Sequence, residues 1–319
     1  MLADKKRTKI RQFYSLGKGK FYKIYLPQVK AKRCFSSRGW IITIGRDWGM
    51  NMVNPLSHVQ LKLPHMSTFK YLKDVDVYYM VSMFITKVVL SSSSNPCSTS
   101  SDCTVMAIYG CKRKLAFAKA GDDTWNTVET TNGVPCQYCD DLICYDNKFY
   151  GLTSLGEVIA CDVEDPQQVK LISIVPKELL PRYEKQYLVE SQGSLLVVSR
   201  EGQQIRDSRG LVRQDFTEFF DILQLNAVDG SWTELDSLGD TALFLGDNSS
   251  FSIAAIDIPG IKPDHIYYTD DYYEAFLGTS EGGGRDTGIY SMKDDIADRC
   301  FNFGSYSHVS PPLWVEPSF

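Results

Sequence analysis

Long apolar runs are missing from this sequence. The longest, Val75 to Leu90, is broken by Asp76 and Lys87 and is too short and too polar for a bilayer-spanning helix. Met1-Leu2-Ala3-Asp4-Lys5-Lys6 turns charged before any apolar stretch, so the opening does not read as a secretory leader. Histidine is scarce: His58, His65, His265 and His308 are all there is. With so few histidines, the sequence shows no nucleophile beside a base, as a hydrolase would need. One C-x-x-C is present, Cys136 to Cys139 with Cys144 near, but it lacks the second pair that a structural zinc site uses. Gly17-x-Gly19 and Gly282-Gly283-Gly284 lack the strand–helix setting of a phosphate loop. The sequence therefore assigns no catalytic residue, no metal ligand and no cofactor, and a non-enzymatic protein is expected.

What is present is ordinary globular composition: 43% hydrophobic, 12% aromatic and 23% charged over 319 residues. A chain of this length can bury about 75% of its unfolded surface. The nine cysteines are odd in number and follow no framework spacing, so they read as reduced thiols of a cytoplasmic or nuclear protein. Net charge is −5, which does not favour nucleic acid. The start is nonetheless basic, with Lys5, Lys6, Arg7, Lys9, Arg11, Lys18, Lys20 and Lys23 against Asp4. Residues 1–18 are taken as a basic arm and 19–319 as the folded domain.

The grammar of that domain is short strands punctuated by turns. Asp122-Asp123-Thr124-Trp125-Asn126-Thr127-Val128 returns in altered form as Val228-Asp229-Gly230-Ser231-Trp232-Thr233-Glu234-Leu235. Each block reads as a turn followed by a strand that carries a large aromatic into a core. Imperfect repetition on this scale points to an array of small units, because one unit cannot bury its own apolar face. The strands group in fours. Arg33 to Pro64 supplies the first set, Phe84 to Glu129 the second, Asp141 to Val175 the third, Lys185 to Leu235 the fourth and Ala242 to Ser291 the fifth. The fold class is all-β: a β-propeller of about five four-stranded blades, or six if the tail from Cys300 to Trp314 adds strands. The fifth set lacks an outer strand, and Phe21 to Leu26 is expected to supply it and close the ring. Asp140-Asp141, Asp270-Asp271 and Asp294-Asp295 read as turn residues at solvated edges.

Four stretches carry a family resemblance: GKGKFYKIYLP near the start, GWIITIGRDWGMNMVNPLSHVQLKLP after it, LGDTALFLGDNSSFSIAAIDIPGIKPDHIYYTDD from Leu238 to Asp271, and SPPLWVEPSF from Ser310 to Phe319. Together they resemble the plant F-box-associated KIB-type β-propeller family, over essentially residues 13 to 319. The resemblance implies a kelch-like propeller that binds proteins, as in the substrate-recognition region of ubiquitin ligases; the alternatives are a propeller-only regulator with no ligase link and, behind it, an enzyme with its site in the central channel. An F-box is a helical module of about 40–50 residues, and the few polar residues before the first strand cannot hold one. Direct binding to a Skp-type adaptor is therefore not expected. The partner is a protein of unknown identity, with neither membrane nor nucleic acid expected. The candidate contact loops are Ser91 to Asp102, Arg200 to Asp215 and Asp270 to Arg285. Trp314 is expected to pack at the closing seam.

Overall fold

The computed structural model describes residues 1–3, 8–72, 83–91, 103–130, 133–179, 185–206, 208, 212–272, 282–301 and 306–316. The expected loop at Ser91 to Asp102 falls outside these residues after its first position, as do Lys5, Lys6 and Arg7. The chain divides into two compact units, one of residues 32–180 with 315–319 and one of residues 1–31 with 181–314.

The unit of residues 32–180 holds three antiparallel meanders. The first is β3 (Arg33–Ser37), β4 (Trp40–Ile44), β5 (Met50–Val53) and β6 (Gln60–Leu63). The second is β7 (Ile85–Leu90), β8 (Thr104–Tyr109), β9 (Lys114–Lys119) and β10 (Asn126–Thr127). The third is β11 (Cys139–Tyr145), β12 (Lys148–Thr153), β13 (Glu157–Asp162) and β14 (Val169–Ile174). Two-residue turns open the first and third: Arg38-Gly39 and Asp146-Asn147 both sit at positive φ. That geometry matches the right-handed twist of the flanking strands, and Gly, Asn and Asp tolerate it best. The first two sheets share one core, in which Trp125 lies 4% exposed beside Phe69, Phe84 and Tyr109. The Trp125 ring stacks on Phe69 at 4.8 Å, and its Nε1–H donates to the Pro64 carbonyl at 3.1 Å. A buried indole needs such a partner. The second and third sheets share another core around Met106, Leu142 and Phe149.

The other unit holds a hairpin and two sheets. The hairpin is β1 (Ile10–Ser15) with β2 (Lys20–Tyr25). The fourth sheet is β15 (Lys185–Ser191), β16 (Ser194–Arg206), β17 (Val212–Leu225) and β18 (Trp232–Glu234), opened by a positive-φ Gln192-Gly193 turn. The fifth runs in the order β20 (Phe251–Ala254), β19 (Thr241–Leu245), β21 (His265–Tyr268), β22 (Gly288–Ser291) and β23 (Ile296–Asp298). Strands β19 and β21 are parallel. The chain turns back through β20 on one side of β19, then crosses to the other side through Ala255 to Asp264. Both faces of β19 are covered, as its continuous apolar run requires. Ala242 and Phe244 pack with Tyr267, and Leu243 and Leu245 pack with Ile266 and Tyr268.

Three expectations are corrected. The strand at Phe21 to Leu26 does not complete the fifth sheet: it pairs with Ile10–Ser15, inside the segment taken as a basic arm. A partner four residues away closes at far lower entropic cost than one at the other end of the chain. The outer place in the fifth sheet is filled by β23. The hairpin still reaches that sheet through side chains, with Leu16 in its core. Gly17 sits so close to Pro259 that a Cβ there would lie 2.7 Å from its carbonyl oxygen. Second, the tail from Cys300 to Trp314 contributes one isolated bridge, Gly283 to Ser307, and no further strand among the described residues. Trp314 packs edge-on against Phe244, Tyr267 and Phe301. Third, Arg200 to Asp215 is not a loop excursion. Strands β16 and β17 stay paired out to Arg206 and Val212. The ladder slips at Gly202, where any Cβ would meet the Phe216 carbonyl at 2.0 Å, so a bulge needs glycine there.

Candidate functional site

Strand β16 alternates in the usual way. Leu196 and Val198 face the core shared with the fifth sheet, and the next residue on that face is Arg200. A guanidinium at a core-facing position must be paired. Its Nη2–H donates to Asp286 Oδ2 at 2.7 Å and its Nη1–H to Asp271 Oδ1 at 3.2 Å. Nε–H donates to Thr217 Oγ1 at 2.7 Å, and Nη1–H also reaches the Thr269 carbonyl at 3.0 Å and the Tyr187 hydroxyl at 3.2 Å. Thr217 in turn donates to Asp286 from its N–H at 2.8 Å and its hydroxyl at 2.6 Å. The Tyr187 hydroxyl donates to Asp271 at 3.2 Å. Burial, then the adjoining Asp271 carboxylate, holds the Tyr187 phenol well above its ordinary range.

Three strands of the fourth sheet thus hold both ends of the segment between β21 and β22. Lys185 and Arg299, each partly exposed, lie 3.6 Å from Asp271 and 3.7 Å from Asp286. Asp270, beside them, accepts N–H groups from Gly284 at 2.7 Å and Arg285 at 2.9 Å. Burial pushes its carboxyl up to about 7, against the pull of those two N–H donors. Asp270 and Asp271, expected at a solvated edge, are in fact 4% and 3% exposed. Much of the expected contact loop from Asp270 to Arg285 lies outside the described residues. Its described ends are anchors.

The same correction applies to Asp141. It is buried and paired with Lys87 at 2.7 Å, which joins β11 to β7. Asp140 pairs with Arg113 nearer the surface. Asp294 and Asp295 are exposed, as expected, and bond to Ser291 and Tyr290. Arg38, at the β3–β4 turn, was not singled out by sequence reasoning. It donates to the carbonyls of Leu90 at 3.1 Å and Cys144 at 2.8 Å, tying the ends of β7 and β11 to the first sheet. Its φ of 48° is the left-handed conformation that this two-residue hairpin turn requires.

The cysteines are free thiols among the described residues. Burial pushes Cys136 and Cys144 up to about 11 and Cys161 to about 12, and drives Cys139 higher still. Thiols so placed are poor nucleophiles. Among the described residues no group of three or more His, Cys, Asp or Glu is placed to hold a metal ion, and no helix is long and apolar enough to cross a membrane.

A family model described as KIB1-4 beta-propeller matches residues 13–291, from within the hairpin to the end of β22. Relatives from Arabidopsis thaliana include the putative F-box protein At5g55150, 29% identical over 59% of this chain and 49% of its own length. F-box protein SKIP23 is 23% identical over 88% of this chain and 74% of its own length. The chain thus spans about half of the first relative and about three quarters of the second. Among solved structures, the N-terminal domain of Nup159 aligns with a TM-score of 0.41 at 9% identity, over 89% of this chain and 69% of that one.

Proposed function

The chain belongs to the KIB1-4 β-propeller family, with its five sheets as the blades, and from that premise we propose that it is a non-enzymatic scaffold that binds another protein. The observation that carries this reading is the family match over residues 13–291, together with relatives named as F-box proteins. Blades of this kind present several connecting segments at once, enough for about 800 Å² of contact on each partner. The buried ion pairs support the same reading. Arg200 engages both Asp271 and Asp286, and Lys87 engages Asp141, so these carboxylates hold strands together.

By likeness to the relatives, the bound protein is one directed to ubiquitination, or a regulator that the propeller sequesters. Among the described residues the elements are strands and short 3-10 turns rather than the helices of an F-box, so we expect residues 1–319 not to bind a Skp-type adaptor directly. The working compartment is the cytoplasm or nucleus, in line with the reduced thiols. Affinity capture from plant extract on immobilised residues 1–319 tests the reading. It predicts one partner recovered reproducibly, whose purified form binds saturably. Failure to recover any such partner across tissues would overturn it.

A further inference from the structure

Strand β2 pairs with β1 alone among the described strands. The Leu26 N–H donates to the Lys9 carbonyl at 2.7 Å, which sets the alternation of the ladder. Backbone groups of Tyr22 and Ile24 point into the hairpin, and those of Phe21, Lys23 and Tyr25 point out of it. On β1 the outward edge is already in use, because the Gln12 carbonyl accepts the Leu2 N–H at 2.8 Å. On β2 the N–H and C=O of Lys23 and Tyr25 make no backbone bond among the described residues.

The side chains along that edge are unusual for an edge strand. Phe21 is 51% exposed and Tyr25 57%, with Lys23 between them on the same face. Tyr14 backs Phe21 at 5.0 Å between ring centroids. From Lys9 to Tyr25 the sequence contains no acid, in a chain whose net charge is −5. Arg11 is turned inward to the Val29 carbonyl at 2.7 Å, so the outward charge is that of exposed lysines, Lys20 and Lys23 among them. A second copy of the chain would set these lysines against each other, since like charges opposed across strands repel.

We propose that the β2 edge takes up an acidic, extended segment of a partner protein, which adds to the hairpin as a third strand. Its backbone bonds to Lys23 and Tyr25. An acidic residue faces Lys23, and apolar residues two positions to either side of it lie over Phe21 and Tyr25. This rests on the protein-binding reading above and names the chemistry of the bound segment.

The probe is a fluorescein-labelled peptide, Glu-Val-Thr-Glu-Thr-Ile-Glu, titrated by anisotropy against the full chain and against the variant Lys20→Glu/Lys23→Glu. Both lysines are exposed, and circular dichroism checks that the variant folds. Saturable binding is expected, weakened tenfold or more in the variant and by added salt, with slowed hydrogen exchange at the Lys23 and Tyr25 amides. Absence of saturable binding, equal binding by the variant, preference for oligouridylate over the peptide, or protection of the edge through dimerisation in sedimentation would each overturn the proposal. A captured partner that binds the variant as well as the wild type removes this edge and leaves the protein-binding reading standing. Peptide binding without any captured partner does the reverse.

Discussion

Nη2 of Arg200 lies 2.7 Å from Oδ2 of Asp286, with both side chains almost wholly buried. The two residues are 86 positions apart, Arg200 on β16 and Asp286 in the segment between β21 and β22. A buried ion pair of this kind is costly to break from one side, because the remaining charge has no water to turn to. Arg200→Met leaves Asp271 and Asp286 only the longer contacts to the partly exposed Lys185 and Arg299 and is expected to destabilise the chain by about 3 kcal/mol. Adding Asp271→Asn and Asp286→Asn should recover a substantial part of that loss. Urea unfolding of the single and triple variants checks both statements. A triple variant no more stable than Arg200→Met would contradict the pairing.

Asp270 gives a pH dependence whose sign is fixed. Burial raises its carboxyl to about 7, so the folded chain holds that proton more tightly than the unfolded one. Its contribution to stability is full below about pH 4 and is lost as pH rises towards 7. Arg200 and Asp286 also act on it, in opposite senses. Between pH 5 and pH 8 the wild type should lose more stability than Asp270→Asn. Thermal unfolding of both at intervals across that range measures the difference, and parallel curves would refute it.

Of the two members of the tryptophan repeat, Trp125 immediately precedes β10 and Trp232 opens β18, and they are not equally buried. Trp125 is in the core, whereas Trp232 is half-buried. Trp125→Ala is expected to cost about 3–5 kcal/mol, and Trp232→Ala about 1 kcal/mol. Denaturant midpoints rank the two, and a reversed order would show that the repeat is packed differently.

Among the described cysteines, Cys111 and Cys300 are exposed, and the other six are buried. Brief iodoacetamide treatment of the native chain should label Cys111 and Cys300 first. Cys136, Cys139, Cys144 and Cys161 should react only after unfolding, since burial raises all four. Mass spectrometry of peptides reads the order.

Most of the strands were legible because period-2 apolar patterning and two-residue turns such as Asp146-Asn147 act locally. The pairing of Phe21–Leu26 was not, since the alternation in a strand does not name its neighbour. Ile10–Ser15 carries Arg11 and Gln12 between apolar residues and so resembles a polar arm until the hairpin is seen. The parallel crossing from β19 to β21 was hidden in the same way. Arg200 did leave a signal: it continues the inward face of Leu196 and Val198, where a charge demands a partner. Asp271 and Asp286, which answer it, look in sequence like any turn carboxylates. Arg38 gave less warning, because a residue in a tight turn usually faces water.

On the function proposed above, residues 1–319 bind a protein through the propeller and do not bind a ligase adaptor. Isothermal titration of the purified chain, in parallel with its captured partner and with a Skp-type adaptor, tests this most directly. Saturable heat is expected with the partner and none with the adaptor. Robust stoichiometric binding to the adaptor, with no binding to any captured protein, would contradict it.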